Sequence, residues 1–111
     1  MPKQPPAKSV FSRRLREARL RSGIAQDRLG VMIGLDEGCS SARMSRYESG
    51  VHEPPFPIIE SIARFLNVPV AYFFCDDDRL AEIMCIYSSA NEKTRQAIFD
   101  SVAALDGKSA K

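Results

Sequence analysis

The sequence predicts an all-α fold in which five short helices form one domain and two further helices follow it. Three observations carry that expectation. Apolar residues return at spacings of three and four through most of the chain, glycines, prolines and an aspartate triplet cut those runs into short pieces, and no alternating apolar and polar stretch marks a strand. At 111 residues the chain has room for one compact domain with short appendages, and a hydrophobic content of 44% suits a modest core.

Residues 1–9 carry Pro2, Pro5, Pro6, Lys3 and Lys8 with no apolar run behind them, which predicts a loose basic arm rather than a signal peptide. Ser9 precedes a first helix over 10–21, where Phe11, Leu15 and Ala18 share a face and Gly23 closes the run. Its outer face is basic, and Arg13, Arg14 and Arg16 are expected to be solvated or to make general phosphate contacts. A second short helix over 26–33 buries Leu29, Met32 and Ile33 and ends at Gly34, with Asp27 in the first turn, where the positive helix end favours an acid. Gly30 lies inside it. Glycine there costs about 1 kcal/mol relative to alanine, so another backbone is expected to pass close by.

Residues 35–39, Leu-Asp-Glu-Gly-Cys, read as a loop, and 40–50 as a third helix that Ser40 and Ser41 cap and Gly50 ends. Met44 and Tyr47 fall on its apolar side, while Ser41, Ala42, Arg43, Ser45 and Arg46 spread over the other. Small polar side chains and two guanidinium forks suit a surface that enters a DNA groove. Pro54 and Pro55 prevent continuation. A fourth helix over 57–66 follows from Ile58, Ile59, Ile62, Ala63 and Leu66, and Pro69 opens a fifth over 70–74. Beyond the aspartates at 76–78, Leu80, Ile83, Met84 and Tyr87 mark a sixth helix, and Ile98, Val102 and Leu105 mark a seventh within 91–105.

Charge is polarised along the chain. Residues 1–46 hold ten Lys or Arg against four acids, whereas 47–111 hold six against ten. A basic half attracts phosphate, and an acidic half leaves its surface to protein contacts. Cys39, Cys75 and Cys85 have no paired spacing and there is one histidine, His52, so neither a disulfide framework nor a zinc site is expected. No Ser/His/Asp set, paired carboxylates or glycine-rich phosphate loop can be assembled, which points away from an enzyme and from any cofactor.

Two short helices with a polar start to the second resemble a helix-turn-helix, and the run from Leu15 to Phe74 is similar to the lambda repressor and Cro type, the XRE family. The matching residues are Arg19, Gln26, Leu29, the run Met44-Ser45-Arg46-Tyr47-Glu48-Ser49-Gly50, Glu53-Pro54-Pro55, and 67–74. The resemblance implies a five-helix lambda repressor-like DNA-binding domain over 10–75. It implies that Ser41, Ala42 and Arg46 face base edges with Arg43 and Ser45 beside them, that Gln26 touches a phosphate or braces the third helix, and that Arg19 pairs with Glu48. With Ser40 at the helix start, the expected DNA-binding set is Gln26, Ser40, Ser41, Ala42, Arg43, Ser45 and Arg46.

The chain departs from that family at Ala25, where a Ser or Thr cap is usual, at Gly30 in place of alanine, and in a turn about four residues longer than usual. Residues 79–105 are expected to lie outside the core and to dimerise through Leu80, Ile83, Met84, Tyr87, Ile98, Val102 and Leu105. The expectation is thus a cytoplasmic, homodimeric regulator, most simply a repressor of a pseudo-palindromic operator in double-stranded DNA. The alternative is an antitoxin whose C-terminal helices bind a protein partner while the rest autoregulates.

Overall fold

A computed structural model describes residues 9–107; the arm expected over 1–9 therefore lies, apart from Ser9, outside the described residues. Six α-helices and one 3₁₀ turn run in the order α1 (Val10–Ser22), α2 (Gln26–Met32), α3 (Ser40–Ser49), α4 (Phe56–Leu66), the 3₁₀ turn Val70–Phe74, α5 (Asp78–Ser89) and α6 (Glu92–Leu105). The fold is all-α, as the periodicity predicts. The fifth predicted helix is the 3₁₀ turn, which suits five residues between Pro69 and Cys75.

Local chemistry sets the ends. Ser9 and Ser12 form a reciprocal capping box, with the Ser12 amide donating to Ser9 Oγ at 3.1 Å and the Ser9 amide to Ser12 Oγ at 3.3 Å. Helix α2 begins at Ala25 without a side-chain cap, and α3 begins at Cys39, also without one. The serines expected to cap α3 are instead its first two helical residues. Asp77 and Asn91 cap α5 and α6 by accepting from the amides of Leu80 and Thr94.

The core gathers Phe11, Leu15 and Ala18 of α1, Leu29 and Ile33, Met44 and Tyr47 of α3, Ile62 and Leu66 of α4, and Tyr72 and Phe73. Phe73 stacks at 5.4 Å from Phe11 and edge-on at 5.3 Å from Tyr72. Ala81 of α5 is 2% exposed in the same cluster, and Met84 and Cys85 pack against it. This corrects the expectation that both C-terminal helices stand outside the core: α5 is part of it. Helix α6 buries none of its residues and packs chiefly on α5.

Helices α2 and α3 meet at Gly30. A Cβ built there would lie 2.6 Å from Ser40 Cβ, so only glycine admits α3 at this distance. Ser40 also donates its hydroxyl to the Asp27 carbonyl at 3.0 Å. The long turn between them is folded rather than open. Gly34 takes φ 99°, the Leu35 amide donates to Gly30 O at 2.9 Å, and the Cys39 amide to Asp36 O at 3.0 Å.

Candidate nucleic-acid interface

Helix α3 presents one face to solvent and one to the core. Met44 and Tyr47 are buried, whereas Ser41, Ala42, Arg43, Ser45 and Arg46 are exposed on the other side. Ser40 is corrected: it is fully buried against Gly30, so the expected DNA contact at that position is replaced by a helix-packing role. Among the described residues, the exposed set carries two guanidinium groups with no hydrogen bond to another side chain, which leaves both forks open to a ligand.

The angle of that face is set by Glu48, 2% exposed at the last turn of α3. Arg19 of α1 clamps it bidentately, Nε onto Oε2 and Nη2 onto Oε1, and holds the Ile24 carbonyl through Nη1 at 2.8 Å. Gln26 donates to Glu48 Oε1 at 3.1 Å, so the structure places Gln26 as a brace of α3. Arg16 lies 4.0 Å from the same carboxylate and donates to the Glu48 carbonyl. A carboxylate with three cationic or amide donors is satisfied where it is buried, which is the condition for a buried charge to be tolerated. Sequence reasoning missed Arg16 as a member. Its signal was there: it sits one turn before Arg19, on the same side of α1.

The basic face of α1 is largely occupied. Arg14, expected to be solvated, is 3% exposed and donates to the Cys75 carbonyl at 2.7 Å, to Glu17 at 2.9 Å and to Asp78 at 2.9 Å, with its guanidinium over the Tyr72 ring. Burial alone would lower its pKa, but the bonds to Glu17 and Asp78 outweigh burial and raise it. Arg13 joins Asp78 at 3.0 Å. Arg13 and then Arg14 hold the exposed Asp78 carboxyl below the ordinary carboxylate range. The correction has a simple cause, because Asp78 is remote in sequence and no local pattern announces the partner.

Acid in the turn is displayed. Asp36, Glu37 and Gly38 are exposed, as is His52 beyond α3. The C-terminal stripe is mixed. Leu80, Ile83, Tyr87, Val102 and Leu105 are exposed, while Met84 and Ile98 are partly buried, Met84 against the core. A groove of about 460 Å³ between α5 and α6 is lined by Ile83, Met84, Tyr87, Ile98, Phe99 and Val102, among others. Phe99, 62% exposed, belongs to this face and was not in the expected stripe, although it lies three residues before Val102. Arg95 fixes the junction by donating to the Tyr87 and Ser88 carbonyls at 3.0 and 2.9 Å, which satisfies the end of α5.

No helix of the described residues is long and apolar enough to cross a membrane, and no cluster among them has the make-up of a metal site. A family model described as a helix-turn-helix domain matches residues 10–72. The cryptic phage CTXphi transcriptional repressor RstR of Vibrio cholerae is 26% identical over 101 residues, covering 86% of this chain and 87% of that protein. An uncharacterized HTH-type transcriptional regulator of Sinorhizobium medicae (strain WSM419) is 32% identical over 63 residues, which span 57% of this chain and 42% of that protein. Among solved structures, that of the transcriptional regulator BswR superposes with a TM-score of 0.82 at 36% identity, over 88% of this chain and 97% of that one.

Proposed function

Because the chain belongs to the helix-turn-helix family of DNA-binding transcriptional regulators, we propose that it represses by binding a pseudo-palindromic operator as a homodimer. The observation that carries this reading is the exposed face of α3, Ser41, Ala42, Arg43, Ser45 and Arg46, held at a fixed angle by the Arg19 clamp on buried Glu48. Arg46 reads guanine, since its fork can meet O6 and N7 together, while Arg43 and the serines contact flanking bases or phosphates. Gln26, occupied by Glu48 on its amide nitrogen, acts mainly by bracing α3. No step calls for a cofactor, and the reading is of a binding protein rather than an enzyme.

One short helix spans few base pairs, and a second copy doubles the contacts and imposes symmetry on the site. The face that supports pairing is the apolar surface of α5 and α6, where Ile83, Tyr87, Phe99, Val102 and Leu105 are exposed together. The same face would suit a different protein, as in an antitoxin. A second copy is preferred because a symmetric site needs a symmetric reader.

Selection of bound sequences from random DNA by the purified protein tests the whole reading. An inverted repeat with guanine at a fixed place in each half is expected, and Arg46→Ala should lower affinity for that operator by about tenfold or more while changing random-sequence binding little. Equal weakening on both DNAs with the fold intact would sink base reading by Arg46. A site without symmetry, or a chain that purifies only with a second protein on α5 and α6, would sink the homodimer.

A further inference from the structure

The helix-turn-helix reading makes no use of two arginines that meet where α4, α5 and α6 come together. Arg64 of α4 and Arg95 of α6 line one recess of about 260 Å³ with Asn67 and Ser88. Among the described residues no ion pair joins either of them to an acid, whereas Arg13, Arg14, Arg16 and Arg19 are each paired. Arg64 makes one long bond, from Nη2 to Ser61 Oγ at 3.4 Å on its own helix. Arg95 is half-buried, lies over the Tyr87 ring at 5.4 Å and spends Nε and Nη2 on the carbonyls that end α5. Those partners are neutral, so its charge is not matched. Residues 47–111 hold six basic residues against ten acids, and two open cations in one recess stand out against such surroundings.

The recess adjoins the apolar groove between α5 and α6, and Pro69, Ser88 and Arg95 line both. The groove holds about 460 Å³, a size at which small ligands are held, and it runs from Arg95 past Ile98 and Phe99 to Val102. Seven residues of α6 separate its two ends, about 10 Å of helix and the reach of a medium-length acyl chain. An apolar furrow with cations at one end is complementary to a molecule with an apolar chain and one negative end. A plain hydrocarbon leaves Arg64 and Arg95 unanswered, and a small anion leaves the furrow wet. We propose that the two recesses form one site for a free medium-chain carboxylic acid, with its chain in the furrow and its carboxylate between Arg64 and Arg95, and that its occupation displaces the partner copy. The head is a carboxylate because a guanidinium fork gives it parallel N–H donors. Displacement rests on the homodimer reading: Ile83, Tyr87, Phe99 and Val102 can cover an acyl chain or a second copy, and not both.

The full chain is titrated with decanoate in a calorimeter, with decanol as the uncharged match. Decanoate should bind at one site per chain, and decanol about tenfold more weakly. Arg64→Gln, at an exposed position whose one bond is to its own helix, should lower decanoate affinity by about tenfold while decanol binding and the helical circular dichroism stay unchanged. Arg95 is kept in this test because it also closes α5. Equal binding of acid and alcohol, or decanoate affinity that survives Arg64→Gln, would overturn the site. Sedimentation reads the displacement separately: saturating decanoate should turn dimer into monomer, and a dimer that persists at saturation would overturn that step. A chain that is monomeric before decanoate is added would overturn the homodimer and the displacement together, while the calorimetry still decides the site.

Discussion

Removing the Glu48 carboxylate would strand Arg19, which is nearly buried and has only the Ile24 carbonyl as its other partner. Glu48→Ala is therefore expected to cost about 3 kcal/mol in urea unfolding, far beyond an exposed pair, because it leaves an uncompensated charge in a dry place. Gly30→Ala tests packing at the same junction. Helix propensity alone would favour alanine, but the collision with Ser40 reverses the sign, and a net loss of about 1 to 2 kcal/mol is expected. Of these residues, Gly30 announced itself in the sequence, because glycine within a helix needs a reason. Arg14 and Ser40 did not. A basic run looks solvated until the fold brings Asp78 to it, and a serine at a helix start looks like a cap until the preceding turn puts Cys39 there instead.

At the scale of elements, the helices were legible because each carries its own apolar period and its own stop, and Gly23, Gly50 and Pro55 do end or precede them. The relation of α5 to the rest was not, since Ala81 is too small to mark a buried face and the Asp78 bridge to Arg13 and Arg14 spans the chain. That bridge gives α5 a pH dependence with a definite sign. Asp78 has a lowered pKa in the folded protein, so its contribution is present above the ordinary carboxylate value and is lost as the pH falls through the lowered one. The midpoint of thermal unfolding of Asp78→Asn should therefore lie below that of the parent at neutral pH. The gap should begin to narrow as the pH falls below the ordinary carboxylate value of about 4, and should close only once the pH has passed the lowered value, where the folded parent is protonated too. A gap that persists in acid would mean that Asp78 acts by something other than charge.

The whole molecule is extended, 56 by 31 by 23 Å with a radius of gyration of 16.4 Å, against about 13 Å for a compact chain of this size. Helix α6 packs on α5 with its apolar side uncovered. In the proposed dimer that side is the interface. Val102→Glu and Phe99→Glu should each weaken association by about a hundredfold in sedimentation, without lowering the monomer's unfolding midpoint, because neither residue supports the core. A dimer that persists in both variants would place the contact elsewhere. Point changes serve better here than deletion after Asp78, which would strip Ala81 from the core and confuse folding with assembly.

Helix α1 grips α3 through Arg16 and Arg19, and α5 through Arg13 and Arg14 on one side of them and Arg21 on the other. It is a thirteen-residue rod, roughly 20 Å long, that ties both helices to one rigid body. In the proposed dimer the separation of the two α3 helices is then gauged by this rod and its charged joints, and not by the exposed residues of α3. Under the proposed reading, descendants of this chain have two independent ways to acquire new target sites. Exchange on the open face of α3 rewrites the letters, and exchange at the Asp78 joint rewrites the gap between them.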